Sequence, residues 1–215
     1  MKMFIGYYNM ANLVTLLGLA LSVVACFVSV SNTGDPANIK IAVALFLLSG
    51  LCDMFDGRIA RGGAARNRKQ QLFGIQIDTV CDMVSFGVTP VVIAYCLGFN
   101  EWYCCAVYVM FACCGAIRLA YFNTQAVEET PDLNMKCFTG VPIPFSCLIL
   151  PLLMLLFSFF DVVVVKIAFL VLYFLTGIAF IVNVKIKKLN AVQGVILIVA
   201  ELIGVVLMFV LKVKA

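Results

Sequence analysis

Histidine is missing from this sequence of 215 residues, and charged residues make up only 12% of it. The absence of histidine removes the usual general base and the commonest ligand of transition metals from any site in the chain. Soluble domains carry about 25% charged residues, so a chain with half that fraction is not an ordinary soluble protein. The net charge of +4 is modest, and we expect no nucleic-acid partner.

Hydrophobic residues take the place of the charges, at 64% of the chain with a mean hydropathy of +1.12. A helix that crosses a lipid bilayer needs about 20 mainly apolar residues. We therefore predict an all-α integral membrane protein. Seven segments fit, of which the fifth is short: 10–30, 41–61, 73–97, 102–123, 144–160, 162–184 and 191–211.

Basic residues are unevenly distributed between the two ends of these segments. With the N-terminus in the cytoplasm, 11 of the 15 Lys and Arg residues fall inside and four outside, as the positive-inside rule favours. We therefore predict a multi-pass protein of the cytoplasmic membrane. The inner residues are Lys2, Arg58, Arg61, Arg66, Arg68, Lys69, Arg118, Lys136, Lys185, Lys187 and Lys188, and the outer ones are Lys40, Lys166, Lys212 and Lys214.

The sequence contains ten cysteines, most of them inside apolar runs. The adjacent pairs, such as Cys104 with Cys105, lack the CxxC spacing of a zinc or redox site. We interpret the cysteines as small residues that pack one helix against another.

Four aspartates interrupt the second and third apolar segments. Asp53 and Asp56 are three residues apart near the end of the second segment, and Asp78 and Asp82 are four apart near the start of the third. Residues at these spacings share one helix face. Because the two segments follow one another as antiparallel helices, we expect all four carboxylates at the same depth near the cytoplasmic face.

These carboxylates need neutralising partners, because an ionised aspartate costs roughly 2.5–3.5 kcal/mol at the centre of a membrane helix. Arg58 and Arg61 can offset two of them. Two divalent cations can offset all four, since Mg²⁺ and Mn²⁺ prefer carboxylate oxygens, and such a pair can clamp a phosphoryl group in transfer. A salt-bridge cluster, or protonated acids hydrogen-bonded within the bundle, is the structural alternative.

The spacing of the acids and of the small residues around them resembles the signature of the CDP-alcohol phosphatidyltransferase family. The matching pattern is Asp53-x-x-Asp56-Gly57-x-x-Ala60-Arg61 followed by Gly74-x-x-x-Asp78-x-x-x-Asp82. The spacer between Arg61 and Gly74 is longer than is usual in the family. We interpret its extra polar and basic residues as a longer cytoplasmic loop.

The resemblance implies a six-helix catalytic core, assigned to residues 1–188, in a homodimer that uses CDP-diacylglycerol and two divalent cations, Mg²⁺ or Mn²⁺. Residues 189–215 are expected to add an accessory seventh helix, in which Glu201 is a structural acid. The implied metal ligands are Asp53, Asp56, Asp78 and Asp82, and Asp82 is also the implied catalytic general base. The implied donor-binding residues are Asn12, Thr15, Gly57, Ala60, Arg61 and Gly74.

Three further stretches, 85–90, 117–123 and 138–144, are similar to members of the family that use L-serine as the acceptor. Arg118 and Lys136 are the candidates to bind the serine carboxylate, although Arg118 near a helix end can instead extend its charge to water. Glycerol 3-phosphate and inositol are the alternative acceptors. An ion-coupled transporter is a more distant alternative, because intramembrane acids often mark ion pathways.

Overall fold

The computed structural model describes residues 5–31, 33–62, 67–128, 137–139, 141–183 and 185–187, together with 199, 203, 204, 206, 207 and 209. At residues 61, 126–128, 137–139 and 185–187 it describes the backbone alone.

Seven α-helices form most of the described chain. They are α1 (Met10–Ser31), α2 (Pro36–Gly62), α3 (Arg68–Asp82), α4 (Thr89–Cys96), α5 (Trp102–Glu128), α6 (Ile149–Leu156) and α7 (Val162–Ile181). A π-helical turn, Met83–Val88, joins α3 directly to α4, and a 3-10 turn, Ile143–Leu148, leads into α6. Two short strands, β1 (Cys137–Thr139) and β2 (Lys185–Lys187), pair antiparallel with Phe138 opposite Ile186.

Within the described residues, five helical spans are long and apolar enough to cross a membrane: Met10–Ser31, Pro36–Ala60, Arg68–Cys96, Trp102–Gln125 and Val162–Ile181. They correspond to the first four and the sixth predicted segments, which confirms the prediction of an all-α, multi-pass membrane protein. The two short strands were not predicted, and they only connect the ends of helices. The predicted seventh segment lies almost wholly outside the described residues, but the six that are described there are helical.

The fifth predicted segment, 144–160, is a shorter apolar helix, Ile143–Leu156. Pro142 is extended, and Pro144 lies in the first positions of the 3-10 turn. A proline is tolerated there because the N–H that it lacks has no helical acceptor at the start of a helix. The regular part, α6, therefore begins only at Ile149 and ends after eight residues.

Small residues allow α1 and α2 to pack closely along one another. A Cβ atom placed on Gly18 would lie 3.1 Å from Cβ of Cys52 and 3.4 Å from the carbonyl oxygen of Ser49. The hydroxyl of Ser22 donates to Oγ of Ser49 at 2.8 Å, so the buried contact between these helices is also polar.

Aromatic rings fill the contact between α5 and α7. The rings of Phe169 and Tyr173 stack with centroids 4.2 Å apart, and Phe111 of α5 lies 4.7 Å from Tyr173. All three side chains are fully buried. This contact fixes α7 against α5, the helix that also carries Arg118.

Contacts between connecting segments show which helix ends lie together. The N–H of Gly34 donates to the carbonyl of Cys96 at 3.0 Å, and Glu101 pairs with Lys166. The hydrogen bond from Lys166 lowers the pKa of Glu101 to about 2. At the opposite end of the bundle, the ring of Tyr7 meets that of Phe73 edge-on at 5.7 Å.

We expect Gly50→Ala to destabilise the protein by about 1–3 kcal/mol, because overpacking a filled interior forces its neighbours to shift. A Cβ atom on Gly50 would lie 2.8 Å from Sγ of Cys147, which is itself fully buried. Thermal unfolding in detergent measures the change. Adding Cys147→Ala removes the sulfur and should recover most of the loss; a double variant as unstable as Gly50→Ala alone would contradict this packing. Eight of the nine cysteines with described side chains are buried or half-buried, as a packing role requires.

Candidate active site

The start of α3 differs from the predicted cytoplasmic loop. The side chain of Asn67 accepts a hydrogen bond from the N–H of Gln70 at 2.9 Å, and Oε1 of Gln70 accepts one from the N–H of Asn67 at 3.0 Å. This reciprocal capping box satisfies two N–H groups that a helix start leaves unpaired. The prediction of a loop is therefore wrong for residues 68–72, which form the first turns of α3. Gly74, Asp78 and Asp82 consequently lie on one continuous helix.

Three of the four predicted aspartates meet at one point. Asp53 near the end of α2, and Asp78 and Asp82 on one face of α3, each offer a carboxylate oxygen within 4.8 Å of the others. The carboxyl groups of Asp53 and Asp82 are within hydrogen-bonding reach of each other. Among the side chains that the structure describes, no ammonium or guanidinium group forms an ion pair with these three.

Asp56 stands outside this group of three but faces the same cavity. It is 5% exposed, and the hydroxyl of Thr15 donates to its Oδ2 atom at 2.5 Å. The predicted donor-site residue Thr15 is thus joined directly to a predicted metal ligand. The cavity lies between α1, α2 and the start of the π-helical turn, and its lining residues are Thr15, Gly18, Leu19, Ser49, Asp53, Asp56, Cys81, Asp82, Ser85 and Phe86.

The donor set of this site fits a divalent cation. Three carboxylates converge without a described cationic partner, and burying such charges unpaired is unfavourable. Mg²⁺ and Mn²⁺ favour all-oxygen ligand sets of this kind. The structural alternative is a proton shared between Asp53 and Asp82. A titration with metal ions distinguishes the two, because only a cation site binds the metal.

The remaining donor-site predictions surround the acids. Asn12 lies one turn before Thr15 on α1; it is buried, and its Nδ2 donates to the carbonyl of Tyr7 at 2.8 Å. Gly57 and Ala60 are half-buried in the last turns of α2, and Gly74 is half-buried in α3. The backbone of Arg61 continues α2, whereas its side chain lies outside the described part of the structure.

Arg118, a predicted acceptor-binding residue, does not line the cavity of the aspartates. The residue is 6% exposed; its guanidinium lies 5.2 Å from the centre of the Phe122 ring and donates from Nε to the carbonyl of Val141 at 3.2 Å. The side chain therefore does not extend to water. It lines a separate cavity of about 200 Å³ with Ile117, Tyr121, Phe180, Ile181, Val182 and Asn183. Lys136, the other acceptor candidate, lies outside the described residues.

The sequence placed Ser85 beside Asp82, and Ser85 lies in the wall of the cavity. Ser49, in the same wall, and the π-helical turn directly after Asp82 were not predicted. Such turns occur frequently at functional sites. A glycine and a proline close together inside an apolar segment, Gly87 and Pro90, were the available signal.

A bond between α3 and α5 was also missed. Nδ2 of Asn123 donates to the hydroxyl oxygen of Thr79 at 2.7 Å. Thr79 directly follows Asp78, so α5 contacts α3 at the level of the carboxylates.

Comparisons with known proteins agree with the geometry. A model of the CDP-alcohol phosphatidyltransferase family matches residues 8–179. Three curated relatives are each named CDP-diacylglycerol–serine O-phosphatidyltransferase. The one from Saccharomyces cerevisiae is 38% identical over 127 residues, which cover 57% of this chain and 44% of the relative. The one from Mycobacterium bovis is 31% identical over 158 residues, covering 72% and 54%. The one from Methanocaldococcus jannaschii is 35% identical over 118 residues, covering 55% and 52%.

The chain thus spans about half the length of these curated relatives. No solved structure gave a significant match.

Proposed function

Since the chain belongs to the CDP-alcohol phosphatidyltransferase family, we propose that it transfers the phosphatidyl group of CDP-diacylglycerol to the hydroxyl of L-serine, releasing phosphatidylserine and CMP. The names of the curated relatives support serine as the acceptor. Membership of this enzyme family argues against the ion-coupled transporter considered from the sequence.

The observation that carries the proposal is the convergence of Asp53, Asp78 and Asp82 within 4.8 Å. We assign these three, with Asp56 beside them, to two divalent cations, Mg²⁺ or Mn²⁺. Bound there, such ions would neutralise charge on the phosphoryl oxygens and on the departing CMP. The four carboxylates, which come from the two helices α2 and α3, would hold these ions.

Asp82 is the proposed general base. A serine hydroxyl is a weak nucleophile at neutral pH, and a carboxylate within hydrogen-bond reach can take its proton as the new bond forms. The serine oxygen then bonds to phosphorus while the bond from phosphorus to the CMP oxygen breaks. Asp82 is assigned this role because it lines the cavity with Ser85 and lies directly before the π-helical turn.

The nucleotide is assigned to the rim of the same cavity. Thr15 of α1 bonds to Asp56 of α2, and Asn12 lies one turn before Thr15. Gly57, Ala60 and Arg61 follow Asp56 in the last turns of α2, and Gly74 is one turn before Asp78. Glycine and alanine leave room for the diphosphate beside the carboxylates. In this proposal residues 1–188 form the catalytic domain of a homodimer, and 189–215 add an accessory helix.

Release of CMP from CDP-diacylglycerol by the purified protein tests the choice of acceptor. With Mn²⁺ present, we expect serine to support faster release than glycerol 3-phosphate or inositol. A faster reaction with either of those acceptors would leave the family unchanged but overturn the named reaction.

The same assay tests the assignment of Arg118 and Lys136 to the serine carboxylate. Arg118→Ala should raise the KM for serine and leave that for CDP-diacylglycerol unchanged. Serinol, which lacks the carboxylate, should be a poor acceptor for the wild type, with little further loss in Arg118→Ala. Because Arg118 lies in a separate cavity from Asp82, an unchanged serine KM would remove it from the acceptor site.

We further propose that the aspartate end of the bundle faces the cytoplasm, in the cell membrane. In a cysteine-free background, Lys69→Cys at the exposed start of α3 should react with an impermeant thiol reagent only in inverted vesicles. Asn100→Cys, exposed at the opposite end of the bundle, is the matched control and should react only in intact cells. The reverse pattern would place the site outside.

A further inference from the structure

The π-helical turn Met83–Val88 accepts a hydrogen bond from a residue outside its own helix. Pro90 follows this turn, and a proline within a helix removes the N–H that the carbonyl four residues earlier would accept. For Pro90 that carbonyl belongs to Phe86, which is buried and lines the aspartate cavity. Leaving a buried carbonyl unpaired costs roughly 1–3 kcal/mol.

Ser146 supplies a donor to this carbonyl from another part of the chain. Its hydroxyl donates to the carbonyl oxygen of Phe86 at 3.1 Å, and the side chain is fully buried. Ser146 belongs to the 3-10 turn Ile143–Leu148, a part of the chain far from the aspartates in sequence. This bond therefore fixes the chain just beyond Asp82 from outside its own helix.

The residue after Ser146 contacts the other helix that carries aspartates. Gly50 of α2 is so close to Cys147 that a Cβ atom on the glycine would lie 2.8 Å from Sγ of Cys147. The same Cβ would lie 3.9 Å from the ring of Phe86. The 3-10 turn thus touches α2 one turn before Asp53 and the π-helical turn one turn after Asp82.

We propose that Ser146 is a positioning residue for the metal site: it holds the π-helical turn against α2, and so sets the separation of Asp82 from Asp53. The inference rests on the proposed function, because it assumes that these carboxylates bind a cation. Ser146 itself is not among the residues that line the cavity, so its proposed role is to position others. Loss of its hydroxyl frees the turn to relax and moves Asp82 relative to its partners.

The test is the affinity for Mn²⁺, followed by electron paramagnetic resonance on the full-length protein in detergent without substrates. We expect Ser146→Ala to raise the Kd for Mn²⁺ by about tenfold, the scale seen when groups that orient metal ligands are removed. The matched control is Ser29→Ala. Ser29 is equally buried and donates to the carbonyl of Ala25 at 2.9 Å within α1, near the opposite end of the bundle. Its removal should leave the Kd unchanged.

Ser146→Cys keeps a weaker donor at the same place and should give a Kd between those of the wild type and Ser146→Ala. If Ser146→Ala does not fold, the Kd of Ser146→Cys still tests the positioning role. A wild-type Kd in Ser146→Ala or Ser146→Cys, or an equal rise in Ser29→Ala, would overturn the positioning role. A wild type that binds no Mn²⁺ would instead overturn the metal site and this inference with it.

Discussion

Asp82→Asn should lower kcat by roughly 10²–10⁴-fold, the usual contribution of a general base, while CDP-diacylglycerol still binds with nearly its normal affinity. The amide keeps the size of the side chain but cannot take a proton from the serine hydroxyl. Steady-state CMP release gives kcat, and equilibrium binding of a labelled donor gives the affinity. Raising the Mn²⁺ concentration should not restore the rate, because the missing function is proton transfer.

Asp161→Asn is the control for this substitution. Asp161 is exposed at the N-terminus of α7, and its side chain makes no capping bond. The control should leave kcat unchanged. An Asp82→Asn protein with more than a tenth of wild-type kcat would show that another group accepts the proton.

Removal of divalent cations should abolish activity, because the clustered carboxylates repel one another and have no described cationic partner. Dialysis against EDTA should reduce CMP release to background, and Mg²⁺ or Mn²⁺ should restore it. Asp78→Asn should then need a higher metal concentration for half-maximal rate, since one carboxylate ligand is lost. Unlike Asp82→Asn, it should recover part of its activity at high Mn²⁺.

Asp35→Asn, in the connection between α1 and α2 at the opposite end, is the matched control for the metal requirement. Asp35 is exposed and accepts a hydrogen bond from the N–H of Ala37 at 3.0 Å. Full activity in the presence of chelator would contradict the metal site and favour a proton shared between Asp53 and Asp82.

The membrane helices were predictable because they depend on a property that the sequence displays directly. Each of the five long spans is a run of apolar residues, and lipid imposes its length. The fifth segment was harder to predict, because Pro142, Pro144 and Pro151 lie within or beside an equally apolar run. The first turns of α3 were misread as a loop because their residues are polar and basic. The local bonds between Asn67 and Gln70 determine the start of that helix.

Helix periodicity was enough to predict which aspartates of the candidate site share a helix face. The spacings of Asp53 with Asp56 and of Asp78 with Asp82 place each pair on one face. The spacing does not indicate that Asp56 accepts a hydrogen bond from the hydroxyl of Thr15 across the contact between α1 and α2. The bond of Ser146 to Phe86 joins residues that are 60 positions apart, and no local pattern indicates it.

The most direct test of the account is the fate of the serine oxygen. The purified protein is given CDP-diacylglycerol, Mn²⁺ and serine that carries ¹⁸O in its hydroxyl group, and the lipid product is fragmented in a mass spectrometer. If the hydroxyl attacks phosphorus beside Asp82, phosphatidylserine forms with ¹⁸O in the bond between phosphorus and the serine carbon, and the CMP released carries none. The absence of phosphatidylserine, or a product without the label, would contradict the proposed reaction.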